Sequence, residues 1–197
     1  MILDLEDAVA PESKAAARAA MIDHALNPER VIVRVNAPDT EAFAYDLAAL
    51  SQTSYRRVMV AKAEDSDALD ALAAYELIAL CETARGIVAA ETLAAHPAVV
   101  ALMWGAEDLV ASLGGTSSRT ADGRYRDVAR HARSRVLLAA GAHGRAAIDS
   151  VYLDITGLDG LRAEAVDAAA SGFTATACIH PSQVTTIREA YAPSSVA

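Results

Sequence analysis

Polar and acidic side chains recur in this sequence at the ends of short apolar runs, where they could share one site. They are Asp4, Glu6, Asp7, Arg34, Asn36, Lys62, Glu82, Glu107, Asp108, Asp154 and His180. Most are carboxylates, and carboxylates in a small volume repel each other unless a cation lies among them. Magnesium is commonly held by one or two carboxylates and water molecules. The pattern therefore favours a site for a hard divalent cation, and the scattered histidines give no support for zinc.

Seven short runs, mostly apolar and closed by a polar residue, alternate with alanine-rich stretches that carry helix-start signals. The runs are 2–7, 31–36, 57–62, 76–82, 99–105, 151–156 and 174–180. Runs of this kind predict parallel strands that are buried on both faces. The alternation of strands and helices predicts an α/β fold, which is either a doubly wound sheet or a (β/α)8 TIM barrel.

Two observations favour the barrel over the doubly wound sheet. The first predicted strand is followed by Glu6-Asp7-Ala8-Val9 and not by a glycine-rich phosphate-binding turn. Polar residues close nearly every predicted strand, and barrel enzymes place their sites at that end. A TIM barrel has eight strands, so the seven predicted here indicate an incomplete barrel. We expect a single TIM-barrel-like domain over residues 1–197, with a loose tail at 191–197.

Six motifs occur in one order along nearly the whole chain, from residue 1 to about residue 191. They are Asp4-Leu5-Glu6-Asp7-Ala8-Val9, Arg34-Val35-Asn36, Lys62-Ala63-Glu64, Glu82-Thr83-Ala84-Arg85-Gly86, Gly105-Ala106-Glu107-Asp108-Leu109 and Ile179-His180-Pro181-Ser182-Gln183. This set resembles the citrate lyase beta-subunit-like family, which is related to malyl-CoA lyases and metal-dependent hydroxy-acid aldolases. The resemblance implies a (β/α)8 barrel that makes or breaks a carbon–carbon bond. The family's first strand and C-terminal helices have no counterpart here, which accounts for the seven predicted strands.

The resemblance also implies a metal and substrate site. Glu82 and Asp108 match the residues that hold Mg²⁺ in the family, and Arg34 matches the arginine that binds the carboxylate of a keto acid. An arginine can bind a carboxylate through two parallel hydrogen bonds. The backbone of Ala106, Glu107 and Asp108 is implied to line the same carboxylate pocket. Together these five residues are the expected substrate-binding residues.

Asp7, Glu6 and Arg34 are the expected catalytic residues. Asp7 matches an acid/base position of the related aldolases, and Glu6 is its expected neighbour in the water network. A base must take the hydroxyl proton during cleavage, and a carboxylate in a crowded acidic site can have its pKa raised for this task. We therefore expect a Mg²⁺-dependent lyase that converts a hydroxyacyl-CoA or hydroxy acid into an acetyl-CoA-like product and a keto acid such as oxaloacetate, pyruvate or glyoxylate. Thioester hydrolysis and condensation are variants of the same enolate chemistry.

Two alternatives stay open. With family segments missing at both ends, the chain could be a non-catalytic homologue or a subunit that binds partners. Lys62 could instead form a Schiff base with a carbonyl substrate. The six arginines between residues 119 and 135 form either a solvated helix face or a positive rim for CoA phosphates or a neighbouring subunit.

Composition narrows the functional class further. The chain has 197 residues, a hydrophobic fraction of 53% and a formal net charge of −9, which argues against nucleic acid and anionic membranes as partners. No apolar run has the length of a membrane helix, and the N-terminal residues show no secretory signal. Cys81 and Cys178 fit reduced thiols in a cytoplasmic protein. The family resemblance implies a homo-oligomer, either a trimer or a hexamer.

Overall fold

The structure, a computed structural model, describes residues 1–24 and 26–193. Its centre is a curled sheet of seven parallel strands that lie side by side in chain order. The strands are β1 (Ile2–Asp4), β2 (Ile32–Val35), β3 (Arg57–Val60), β4 (Glu76–Cys81), β5 (Val99–Trp104), β6 (Ala146–Asp149) and β7 (Ala175–Thr176). Among these strands, β1 pairs with β2 alone and β7 pairs with β6 alone. The α/β class and the number of strands are as predicted, in an arrangement consistent with an incomplete TIM-like barrel.

Helices connect the strands and cover the outer face of the sheet. They are α1 (Lys14–Asp23), α2 (Glu41–Leu50), α3 (Ala84–Val88), α4 (Ala90–Ala95), α5 (Ala106–Ser112), α6 (Asp127–Ala142), α7 (Leu158–Ser171) and α8 (Gln183–Ala190). Short 3-10 helices occupy Pro11–Ser13, Pro28–Arg30 and Asp67–Leu72. The first of these leads directly into α1, at the start signal predicted from Pro11. None of the helices in the described part of the chain has the length and apolar character needed to cross a membrane.

Successive strand residues pack on opposite faces of the sheet, and both faces are buried. On the inner face, Met59, Ile78, Leu80, Ala101 and Met103 form one cluster. On the outer face, alternating residues such as Val58, Val60, Leu77, Ala79 and Cys81 join the main core beneath the helices. Since Leu80 faces inward and Cys81 outward, the two-residue period of a strand turns the next residue, Glu82, toward the inner face.

The predicted strand at 151–156 is wrong. Residues 151–156 form a loop, and β6 lies earlier, at Ala146–Asp149. The β-branched and aromatic residues of the loop have strong strand propensity, but Leu153 and Ile155 are exposed. The alanines of β6 have weak strand propensity, and Ala147 is placed by burial. In consequence β6 ends at Asp149, and Asp154 instead accepts hydrogen bonds from Thr156 within the loop.

The predicted strand at 174–180 is much shorter in the structure, where β7 covers Ala175–Thr176. The loose tail predicted for residues 191–197 falls partly on residues 194–197, which lie outside the described residues. Tyr191 follows α8, and its hydroxyl lies 2.8 Å from that of Thr176.

Helix α7 ends at a residue in the left-handed region, and this gives a stability prediction. Gly172 has a φ of +106°, a conformation that costs an L-residue roughly 1–2 kcal/mol. We expect Gly172→Ala to lower the free energy of unfolding by about 1 kcal/mol in urea denaturation. Gly141→Ala is the matched control, because Gly141 lies within α6 with open space around it, and there alanine should be neutral or stabilising. Equal effects of the two substitutions would contradict this assignment.

Candidate metal and substrate site

Glu82 lies at the carboxyl end of β4 and is buried, with 2% of its surface exposed. The backbone amide of Lys62 donates to its Oε1 over 3.1 Å. Lys62 has a φ of +48°, in the left-handed region, so the turn after β3 holds a strained conformation beside this carboxylate. The strained turn thus directs a backbone donor at Glu82 and leaves the lysine side chain free for another partner.

Gly105, directly after β5, forms the wall against which Glu82 packs. A Cβ atom at residue 105 would lie 2.7 Å from the Glu82 Cβ and 2.9 Å from its Oε2, closer than atoms normally approach. A glycine is therefore needed here so that the backbone can come close to the carboxylate. Gly105 opens one of the six motifs, but no pattern in the sequence indicates this role.

Asp108 lies in the first turn of α5, just beyond Gly105, and is partly buried. Burial and the negative charge of Asp108 together raise the pKa of Glu82 to about 8. The structure thus brings together the two acids that the sequence analysis singled out as metal ligands, although 26 residues separate them in the chain.

The pair of Glu82 and Asp108 fits a magnesium ion. Two carboxylates close together in a buried setting are destabilised by each other, and a divalent cation between them relieves that repulsion. Across residues 1–24 and 26–193, no group of three or more His, Cys, Asp and Glu side chains is arranged to hold a metal. Two protein carboxylates suit Mg²⁺, which keeps several positions for water or substrate oxygens.

Glu6 and Asp7 follow β1 on the opposite side of the site. Glu6 is buried and forms an ion pair with the ammonium of Lys62, which also lies 3.5 Å from Asp7 Oδ1. Burial raises the pKa of Glu6 above its usual range despite this hydrogen bond. Asp7 exposes about half of its side chain and its amide donates to Glu6 Oε2, so Asp7 faces solvent while Glu6 faces the interior.

Arg34, at the end of β2, is held by Asp4 through two hydrogen bonds of 2.7 and 2.6 Å. Burial alone would raise the pKa of Asp4, but these bonds and two backbone amides lower it below its usual value. The Nη1 of Arg34 lies 3.5 Å from Glu6 Oε2. A guanidinium has five N–H donors, so Asp4 fixes its plane and leaves donors for a second carboxylate.

A buried network beneath the β1–α1 loop was missed by the sequence analysis. The ammonium of Lys14 donates to the carbonyls of Leu5 and Glu6 and to Asn36 Oδ1, over 2.7–2.9 Å. Asn36 in turn donates to Asp46, which is fully buried. These bonds fix the loop that carries Glu6. Lys14 lies within a helical stretch with no distinctive motif, and only the fold brings it under the loop.

Three further predicted residues, Ala106, Glu107 and His180, contact serine hydroxyl groups. The amide of Ala106 donates to the Ser150 hydroxyl over 3.4 Å, and the Glu107 carboxylate accepts from the Ser118 hydroxyl over 2.5 Å, so the side chain of Glu107 is directed to the loop before α6. His180 is exposed in the turn before α8 and contacts Ser182.

A cavity of about 300 Å³ opens beside Lys62. It is lined by Ala37, Pro38, Asp39, Lys62, Glu64, Asp65, Ala68, Thr83 and Arg85. The guanidinium of Arg85 is largely exposed and lies 3.8 Å from Glu64 at the cavity wall. The cavity therefore lies beyond the ends of β2, β3 and β4, and of the predicted site residues only Lys62 lines it.

Residues 1–181 match the HpcH/HpaI aldolase/citrate lyase family, and the chain belongs to this family. A citrate lyase subunit beta-like protein of Mycobacterium tuberculosis is 57% identical over 194 residues, which are 98% of this chain and 71% of that protein. A (3S)-malyl-CoA thioesterase of Cereibacter sphaeroides is 37% identical, over 99% of this chain and 70% of that protein. The human mitochondrial citramalyl-CoA lyase is 33% identical, over 98% of this chain and 64% of that protein.

Solved structures of the Mycobacterium tuberculosis relative share this fold. A complex of its citrate lyase beta subunit with oxaloacetate and magnesium has a TM-score of 0.96 and 57% identity, over 98% of this chain and 86% of that one. A complex of the protein CitE with magnesium, acetoacetate and coenzyme A has the same TM-score and identity, over 98% of this chain and 73% of that one. Magnesium and small keto acids are thus found in crystals of close relatives.

The raised pKa of Glu82 predicts how stability changes with pH in the absence of metal. Folded Glu82 keeps its proton up to a pH of about 8, whereas the unfolded chain releases it near the usual value of 4.5. The contribution of Glu82 to stability is thus present below pH 4.5 and is lost as the pH rises to 8, by up to about 1.4 kcal/mol per pH unit. Urea denaturation in EDTA should show this slope for the wild type relative to Glu82→Gln. Parallel pH profiles for the two proteins would refute the assignment.

The close contact of Gly105 with Glu82 gives a second prediction. We expect Gly105→Ala to displace the carboxylate and to weaken Mg²⁺ binding about 10- to 100-fold, as is typical when the support of a ligand is lost. Isothermal titration calorimetry measures this directly. Gly141→Ala, in open space on α6, should bind Mg²⁺ like the wild type. Unchanged affinity in Gly105→Ala would show that Glu82 is not a ligand or that it moves freely.

Proposed function

We propose that this protein is a Mg²⁺-dependent carbon–carbon lyase of hydroxyacyl-CoA or hydroxy-acid substrates, with an acetyl-CoA-like product and a keto acid such as oxaloacetate, pyruvate or glyoxylate. The observation that carries the proposal is the buried carboxyl of Glu82 at the end of β4, whose pKa is raised by the nearby Asp108 in the first turn of α5. The magnesium, keto acids and coenzyme A in crystals of relatives with 57% identity support it.

In this proposal Glu82 and Asp108 hold the metal, and the first turn of α5 borders the substrate. Bound Mg²⁺ supplies a Lewis acid that polarises a substrate oxygen. Ala106, Glu107 and Asp108 begin α5, and backbone N–H groups at a helix start favour a negatively charged group such as the substrate carboxylate.

Arg34 binds the substrate carboxylate, and Asp4 keeps the guanidinium in one plane during the reaction. The bidentate hold of Asp4 means that the clamp is formed before the substrate arrives, which lowers the cost of ordering it.

Asp7 and Glu6 take part in the transfer of the substrate's hydroxyl proton. Asp7 is the more exposed of the two and can take the hydroxyl proton at the substrate, while Glu6 and Lys62 anchor it from below. The ammonium of Lys62 keeps its positive charge throughout. Burial alone would lower the pKa of Lys62, but the hydrogen bond to Glu6 and the nearby carboxylates raise it to about 12. A Schiff-base lysine needs the opposite shift, so this environment argues against covalent catalysis by Lys62.

Thioester hydrolysis is the second candidate. The (3S)-malyl-CoA thioesterase relative, at 37% identity, favours it. Both reactions use the same metal, arginine and acid, and they differ in whether the carbon–carbon bond or the thioester bond is broken.

We also propose that the seven strands form an incomplete (β/α)8 barrel within a single domain, open between β7 and β1. The strand order and the two sheet edges support this arrangement. An unpaired parallel edge promotes association, and we propose a homo-oligomer, a trimer or hexamer, in the cytoplasm.

The test is a product analysis of acyl-CoA thioesters, including malyl-CoA and citramalyl-CoA, with Mg²⁺ or with EDTA. Free keto acid together with an acyl-CoA indicates cleavage, and free CoA together with the intact hydroxy acid indicates hydrolysis. Glu82→Gln and Asp108→Asn should each lower kcat/KM at least 100-fold, since each removes a metal ligand. Glu91→Gln, an exposed acid on α4, should match the wild type.

Three results would contradict the proposed lyase. Turnover that persists in EDTA would show that the reaction does not depend on a bound metal. A borohydride-trapped adduct on Lys62 would indicate a Schiff base. Mg²⁺ and oxaloacetate binding without turnover of any thioester would favour the non-catalytic, partner-binding alternative.

A further inference from the structure

Asp149, at the end of β6, is buried and accepts hydrogen bonds from three residues. The indole Nε1 of Trp104 donates to its Oδ1 over 2.5 Å. Arg133 on α6 donates to both oxygens over 2.9–3.1 Å, and the amide of Ser150 donates over 3.0 Å. The proposed chemistry uses none of these four residues, so this arrangement needs another explanation.

The partners of Asp149 lead directly to the acidic pair. Trp104 is the last residue of β5 and is fully buried, and the next residue, Gly105, is the wall behind Glu82. On the other side of Asp149, the Ser150 hydroxyl accepts from the amide of Ala106, the first residue of α5. Both routes therefore end at the junction of β5 and α5, on which Gly105 and Asp108 lie.

Stability alone does not explain a buried ion pair at this place. Removing two charges from water is costly, and well-packed apolar residues often serve stability equally well. A carboxylate does what an apolar residue cannot, because it fixes the indole and the Ser150 amide at once. Arg133 holds the carboxylate in turn and is itself fixed by Asp167 and by the ring of Phe173, 4.8 Å away.

We propose that Asp149 is a positioning residue for the metal site: through Trp104 and Ser150 it fixes the β5–α5 junction and so sets the distance between Glu82 and Asp108. This inference rests on the proposed function in one respect, that the two acids bind a divalent metal.

The experiment compares Asp149→Asn with Asp167→Asn. Both substitutions remove a carboxylate from Arg133, but Asp167 is largely exposed on α7 and binds Arg133 from outside the junction. Mn²⁺ binding is measured by electron paramagnetic resonance, with Mn²⁺ as the probe. Hydrogen exchange of the segment 104–112 is measured without metal. Trp104 is the sole tryptophan of the chain, so its fluorescence reports the indole environment in each variant.

We expect Asp149→Asn to weaken Mn²⁺ binding about 10-fold or more, to speed exchange at 104–112 and to shift the Trp104 emission. Asp167→Asn should stay within twofold of the wild type. Should Asp149→Asn fail to fold, Ser150→Ala removes one route without touching the ion pair and should weaken Mn²⁺ binding about threefold.

A folded Asp149→Asn that is less stable but matches Asp167→Asn in Mn²⁺ affinity and exchange would overturn the inference, as would wild-type affinity in Ser150→Ala if that variant alone folds. A wild-type chain that binds no Mn²⁺ would instead contradict the proposed function, and exchange at 104–112 would then decide whether Asp149 orders the junction.

Discussion

Two carboxyl groups held near each other, one of them buried, constrain everything around this site. The carboxyl of Glu82 is almost wholly buried, and the charge of Asp108 acts on it from the first turn of α5. Such a pair is tolerated only with a proton or a cation, because the repulsion of two carboxylates grows as solvent is removed. The surrounding backbone keeps them from separating, with Gly105 pressed against one acid and the first turn of α5 carrying the other.

The two cations of the site, Arg34 and Lys62, direct their side-chain hydrogen bonds to acids other than Glu82 and Asp108. Side-chain hydrogen bonds of Arg34 are directed to Asp4, and those of Lys62 to Glu6, on the side of β1. Toward Glu82, Lys62 directs only its backbone amide. The half of the site formed by β1, β2 and β3 is therefore largely neutralised internally, whereas the half formed by β4 and β5 keeps a negative charge. This polarity separates the residues proposed for acid/base chemistry from those proposed to bind the metal.

The sequence was sufficient to predict the α/β class, the number of strands and the position of Glu82 at a strand end with Asp108 near it, because buried parallel strands leave a clear pattern of apolar runs with polar ends. It failed at β6, where Ala147 is placed by burial and not by its own preference, while the residues of the following loop imitate a strand. That error hid Asp149, since the predicted strand covered 151–156 and its candidate polar residue was Asp154. Lys14 and Asp46 were also missed, because their partners are distant in sequence and no local pattern marks a buried network.

The side-by-side order of the strands has a consequence for how the molecule is made. Each strand pairs with the one synthesised just before it, so every new βα segment meets a completed partner as it leaves the ribosome. The sheet can grow from the β1 side without long-distance rearrangement. The environment that raises the pKa of Glu82 is therefore completed only when β5 and α5, with Gly105 and Asp108, have packed beside β4.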